Sequence, residues 1–166
     1  LGTDYIDLVL IHWPVQGHIK ETWQILEEYV EQGKIRSIGV SNFNPHHLDE
    51  LLEYARIRPV INQIEIEPYM TQHDVVGYTF SKGIQVEAWG PLGQGVTDVL
   101  NDPIIGEIAT LHGKSTAQVI LRWHMQRGLV TIPRCDNDKY TDENIRIFDF
   151  ELSLSEMEII TGLNRN

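Results

Sequence analysis

The residues with reactive or ligand-gripping side chains fall at the ends of apolar runs. His12 closes one such run and is followed by Trp13 and Pro14, a place where an imidazole can orient or protonate a substrate. A core histidine bonded to a neighbouring backbone group fits the position equally well. Ser41 and Asn42 follow Gly39 and Val40 and offer a hydroxyl and an amide suited to a ligand amide, although both are also common turn residues. Asn62, Gln63, Glu65 and Glu67 interrupt a β-type run. On a strand covered on both faces such groups need partners or a polar cavity, so at least one is expected to line a ligand. Trp89-Gly90-Pro91-Leu92-Gly93-Gln94-Gly95 is a glycine-rich loop whose backbone can approach a ligand closely or act as a mobile lid. Trp89 can stack on a flat ring; a flexible turn behind a core tryptophan is the alternative. Arg134-Cys135 leads into Asp136 to Tyr140 and then into Glu143-Asn144 on an expected helix. Arg134 can hold a phosphate bidentately, against a default of a surface arginine. The 7 histidines are scattered, without a metal-ligand spacing or cysteine partners. His46 and His47 are helix neighbours that should not face each other and are expected on a solvated face. No nucleophile elbow and no Walker loop occurs.

Strands are expected at Ile6 to Trp13, Ile35 to Val40, Val60 to Ile66, Ile84 to Trp89 and Leu129 to Pro133, each a nearly continuous apolar run of the kind buried on both faces. Helices separate them. Asn44-Pro45 and Asp102-Pro103 read as a cap followed by a first-turn proline. Ser115 with Gln118 and Ser155 with Glu158 have capping-box spacing. His18 to Gln32 carries the helical period through Trp23, Leu26 and Val30. Gly33, Gly83 and Gly128 stand between helix and strand, where a left-handed residue is wanted.

Strand-helix alternation implies a parallel sheet. A doubly wound sheet would place a glycine-rich phosphate loop after its first strand, and only Gly17 follows Trp13. The polar and aromatic strand ends instead favour an α/β (β/α)8 TIM barrel, whose active residues gather at the C-terminal strand ends. About five of its eight βα units are accounted for, a partial barrel whose outer strands would lack partners.

The 166 residues suit one domain, 1–166. With 42% apolar and 22% charged residues the composition is globular. The net charge of −11 argues against a nucleic-acid or anionic-membrane partner. No run is long enough for a membrane helix. One cysteine, and no signal-peptide pattern, suits a reducing cytoplasm.

Together these segments resemble the aldo-keto reductase family. They are Leu-Gly-Thr-Asp-Tyr-Ile-Asp-Leu (1–8), Ile-His-Trp-Pro (11–14), Gly-Lys-Ile-Arg-Ser-Ile-Gly-Val-Ser-Asn-Phe (33–43), Asn-Gln-Ile-Glu-Ile (62–66) with Pro68-Tyr69, Trp-Gly-Pro-Leu-Gly-Gln-Gly (89–95), Glu143-Asn144 and Phe148-Asp149-Phe150. Trp89 and Leu-Arg-Trp-His (121–124) look most like the bacterial 2,5-diketo-gluconate reductase branch. The resemblance implies a barrel that reduces aldehydes and ketones with NADPH and without metal. It makes His12 the carbonyl-orienting catalytic histidine and places Trp13 in the substrate pocket. Ser41, Asn42 and Gln63 would hold the nicotinamide carboxamide, and Trp89 would stack on its ring. Leu92 and Gln94 would line the pyrophosphate path. Arg134, Cys135, Glu143 and Asn144 would surround the adenosine and its 2′-phosphate.

Departures from the family pattern accompany the match. The proton-donating tyrosine, with its lysine and aspartate partners, belongs to an earlier segment, so the chain reads as a C-terminal portion, expected to be inactive alone. Arg134 and Cys135 stand for Lys and Ser, and Tyr140 stands where an arginine covers the adenine. The NADPH preference should weaken, leaving NADH usable. Glu67 replaces a histidine before Pro-Tyr. The partner expected is a small-molecule carbonyl substrate. Two other readings stand beside this one: a non-catalytic paralogue binding a nucleotide or a protein, and a fragment that self-associates through open barrel edges.

Overall fold

The computed structural model describes residues 2–165. Leu1, the first residue of the opening match, lies outside them. Five strands alternate with helices: β1 (Ile6–Ile11), α1 (Ile19–Glu31), β2 (Ile35–Ser41), α2 (Pro45–Tyr54), β3 (Ile61–Glu65), α3 (His73–Ser81), β4 (Gln85–Trp89), α4 (Pro103–His112), α5 (Thr116–Gln126), β5 (Val130–Ile132), α6 (Asp138–Ile145) and α7 (Leu154–Thr161). Two short 3₁₀ turns, Gly93–Gly95 and Val99–Asn101, follow β4. The strand order is β1-β2-β3-β4-β5. The registers that define it are parallel, Ile11 opposite Val40, Ser41 opposite Gln63, Trp89 opposite Ile132. This is the α/β order of a partial TIM barrel. No helix among the described residues is long and apolar enough to cross a membrane.

All five strands form where apolar runs were expected, and the bounds shift by one or two residues for local reasons. β1 stops at Ile11 rather than Trp13, because its neighbour turns away after Ser41 with Asn42 at φ +62°. β5 stops at Ile132, since Pro133 has no N–H for the ladder.

The chain divides into two compact units. The first holds the residues through Ile64 together with His73–Val86. Its core is Ile19, Trp23, Ile35, Ile38, Val40, Phe43, Leu48, Leu51 and Ile84. α1 buries Ile19, Trp23 and Glu27, one face at four-residue spacing. The Trp23 indole donates to Ile57 O at 3.1 Å, which satisfies its buried N–H. Gly39 sits where backbones crowd: a Cβ there would lie 2.6 Å from Ile61 Cγ2 and 2.8 Å from Ile61 O.

The second unit holds Glu65–Gln72 and the residues from Glu87 onward. Ile105, Ile120, Leu121, Trp123, Leu129 and Ile160 form its interior. Asp102 caps α4 by accepting from the N–H groups of Ile104 (2.9 Å) and Ile105 (3.2 Å), and its second oxygen accepts from the Tyr69 hydroxyl at 2.7 Å. Ser115 and Gln118 form the expected capping box on α5.

Two expectations need correction. The box on α7 is Ser153 with Glu156, not Ser155 with Glu158. Both pairs have the spacing; the choice falls to Ser153 because buried Leu152 is tied to Gln126, and the helix starts directly after it. His46 and His47 do meet, with ring centroids 3.8 Å apart. His47 is half-buried and caps α2, its Nδ1 accepting from Asn44 N at 3.2 Å. Burial and the charge of His46 hold its pKa below the usual histidine value.

Candidate active site

In the first unit, the C-terminal ends of β1, β2 and β3 bring His12, Ser41, Asn42 and Gln63 into one hydrogen-bonded knot. Ser41 Oγ donates to Gln63 O at 2.9 Å, and Asn42 N donates to the same carbonyl at 2.8 Å. Asn42 Nδ2 donates to His12 O and to Ser41 Oγ, each at 3.0 Å. Among the described residues, Asn42 is one of three non-glycine residues with positive φ, a conformation asparagine tolerates better than most. Ser41 is buried, and its hydroxyl is committed as a donor, so it meets a ligand only through its remaining lone pair. Asn62 is a support rather than a ligand group: its amide donates to Phe43 O at 2.9 Å and accepts from Phe43 N at 3.4 Å. His12 and Trp13 are exposed, their ring centroids 6.0 Å apart, beside a cavity of about 590 Å³ that Val15, His18 and Thr22 also line.

In the second unit, the loop after β4 runs through positive φ at Gly90, Gly93, Gln94 and Gly95. The Gln94 amide donates to Glu65 Oε1 at 3.1 Å, which anchors the loop to the end of β3. This loop forms one wall of a cavity of about 540 Å³, lined also by Ile132, Arg134, Asp136, Tyr140, Glu143 and Asn144. Leu92 and Gln94 therefore share a cavity with Arg134, Tyr140, Glu143 and Asn144. Trp89 is half-buried at the end of β4, one residue before that wall. Cys135 lines a different cavity, with Leu121, Pro133, Thr141 and Phe148. Its thiol contacts Asn137 O at 3.2 Å and Thr141 Oγ1 at 3.1 Å.

Glu67, the departure noted in the sequence, is buried and closes the turn after β3. Its Oε2 accepts from Tyr69 N at 3.2 Å, and its backbone pairs both ways with Met70. Burial raises its carboxyl above the usual range against the pull of that N–H and of Arg165. Two side chains of the second unit take roles that the sequence did not assign to them individually. Glu65 matters as the Gln94 anchor. Asp136 accepts from Arg134 Nε at 3.0 Å and lines the same cavity, and its position two residues after Arg134 was the available signal. Among the described residues, no three His, Cys, Asp or Glu groups are placed to hold a metal ion.

The aldo/keto reductase family model matches residues 1–165. The chain belongs to that family. The chain is 50% identical over 166 residues to a glyoxal reductase of Bacillus subtilis (strain 168), covering all of the chain and 59% of the relative. An uncharacterized oxidoreductase of the same organism is 48% identical, with the same coverage. A solved structure of a Gox0644 variant in complex with NADPH superposes with a TM-score of 0.93 at 41% identity, over 98% of this chain and 60% of that one. The chain thus spans about three fifths of the length of the relatives it matches.

Proposed function

We propose that this chain carries the cofactor-holding part of an NAD(P)H-dependent carbonyl reductase acting on aldehydes and ketones. The observation that carries the reading is the knot of Ser41, Asn42 and Gln63 tied to the backbone of His12 at three adjacent strand ends of an aldo/keto reductase chain. The knot fixes the Ser41 hydroxyl and the Asn42 amide in place, with Gln63 joining through its backbone carbonyl, and a fixed polar edge of this kind suits a carboxamide whose ring must be held in one orientation.

A nicotinamide dinucleotide suits the residues present. The cavity beside Arg134 joins an open glycine-rich wall to a cation, an aromatic ring and two carboxylates. NADPH is the ligand named for the Gox0644 variant. When bound, the cofactor supplies the hydride that reaches the carbonyl carbon. In this reading Ser41, Asn42 and Gln63 orient the carboxamide, Trp89 backs the ring, and Leu92 and Gln94 flank the diphosphate. Arg134, Tyr140, Glu143 and Asn144 surround the adenosine, with Cys135 on the far side of the same loop. His12 aims the carbonyl, and Trp13 walls the pocket of a small-molecule carbonyl substrate.

Reduction also needs a proton on the carbonyl oxygen. Aiming by His12 does not replace a donor whose pKa is tuned to the working pH. We therefore propose that the 166-residue chain binds the cofactor without turning over.

Titration of the chain with NADPH and NADH, followed by tryptophan fluorescence with Trp89→Phe as control, tests the binding. Saturable quenching that disappears in Trp89→Phe is expected. A folded chain that neither nucleotide quenches overturns the proposal. A steady aldehyde-dependent loss of NADPH absorbance would overturn the inactivity of the chain alone.

A further inference from the structure

We infer that the adenosine cavity is built for the ribose diol of NAD(H), and that Asp136 is the residue that turns the 2′-phosphate of NADP(H) away. The inference rests on the proposal that this cavity takes the adenosine end of the cofactor.

Three observations carry it. First, the charges lining the cavity are Arg134, Asp136 and Glu143, one cation against two carboxylates. A phosphate monoester adds about −1.5 to −2 of charge at neutral pH, which one guanidinium beside two carboxylates does not offset. The chain's net charge of −11 adds to the repulsion.

Second, Arg134 is already engaged. Its Nε donates to Asp136 Oδ1 at 3.0 Å, with the two side chains 87% and 70% exposed. So exposed a pair adds little stability. What it changes is the setting: the Nε edge of the guanidinium is shared with a carboxylate, and a phosphate taken by the remaining Nη edge would still sit close to that negative charge.

Third, carboxylates are the groups that recognise an unphosphorylated ribose. They only accept, and the 2′ and 3′ hydroxyls donate to them; an acidic residue plays this part in dinucleotide folds of quite different topology. Asp136 and Glu143 line this cavity, and the exposed ring of Tyr140 gives an adenine a flat surface without adding a positive charge.

The test is a pair of dissociation constants, for NADH and NADPH, measured on the 166-residue chain and on Asp136→Asn, with 5′-AMP and 2′,5′-ADP as competitors that isolate the adenosine end. The wild-type chain is expected to bind NADH at least as tightly as NADPH. Asp136→Asn, which frees Arg134 without changing side-chain size, should shift the preference tenfold or more towards NADPH, and 2′,5′-ADP should gain over 5′-AMP by the same factor. Arg134→Ala in the Asp136→Asn background should cancel the gain. A wild-type preference of tenfold or more for NADPH, or a ratio that Asp136→Asn moves by less than twofold, overturns the inference and leaves the proposed function standing. No binding of either nucleotide by a folded chain overturns both.

Discussion

Glu27 on α1 reaches Arg56, just past the end of α2, and grips it twice: Oε1 accepts from Arg56 N at 2.7 Å and Oε2 from Arg56 Nε at 3.0 Å. Oε1 also accepts from Ile57 N at 2.9 Å, and the carboxylate has no exposed surface. Burial pushes the Glu27 carboxyl up, but the two N–H groups and the guanidinium outweigh it and hold it below the usual range. Glu27→Ala strands those backbone donors and should cost about 3 kcal/mol in urea unfolding. Because the folded pKa is lowered, the stability Glu27 adds is complete above the ordinary glutamate range and is lost as pH falls through the folded value. Glu27→Gln should flatten that acid limb.

His124 sets a second, higher pH window. Its ring is fully buried, with Nδ1 2.8 Å from Ile120 O and Nε2 3.0 Å from Ile66 O. Burial pulls its pKa down to about 4 against the pull of both carbonyls. The unfolded chain binds this proton at the ordinary histidine value, so stability should fall as pH drops from about 6.5 to about 4. The loss is on the order of 3 kcal/mol. His124→Gln, which keeps a donor towards Ile66, should remove the slope in that interval.

Asn42 can be dissected with two replacements. Asn42→Ala loses both amide bonds and keeps the left-handed strain, so it should lower stability by about 1–2 kcal/mol and weaken nucleotide binding. Asn42→Gly relieves the strain and should recover most of the stability without the binding. Thermal melts read alongside nucleotide titration separate the two effects.

Gly39→Ala should be destabilising by about 1–3 kcal/mol, since its methyl would enter the space of Ile61 and of Leu10 Cδ2 at 2.8 Å. The measurement is the denaturant midpoint. An unchanged midpoint would mean that β1 and β3 give way there.

Strand positions were readable because each was an apolar run that ended in polar or aromatic residues, and those ends did gather His12, Ser41, Asn42 and Gln63. The Ser41–Gln63 bond was not readable, because it depends on register. Ser153 and Ser155 each have a glutamate three residues on, so only the docking of Leu152 separates them. His47 looked solvated by helical spacing alone; its capping bond is made to a backbone group before the helix. The Arg134–Asp136 pair was spelled out two residues apart, yet its direction depends on the backbone after Pro133, where no ladder holds the chain.

Arg134 and Cys135, neighbours in sequence, face different cavities. Cys135 is the chain's single cysteine and is exposed. A thiol-directed spin label or fluorophore at Cys135 would therefore attach at one site, on the opposite side of the loop from the guanidinium. It would report the loop's motion from behind, with the space beside Arg134 left open.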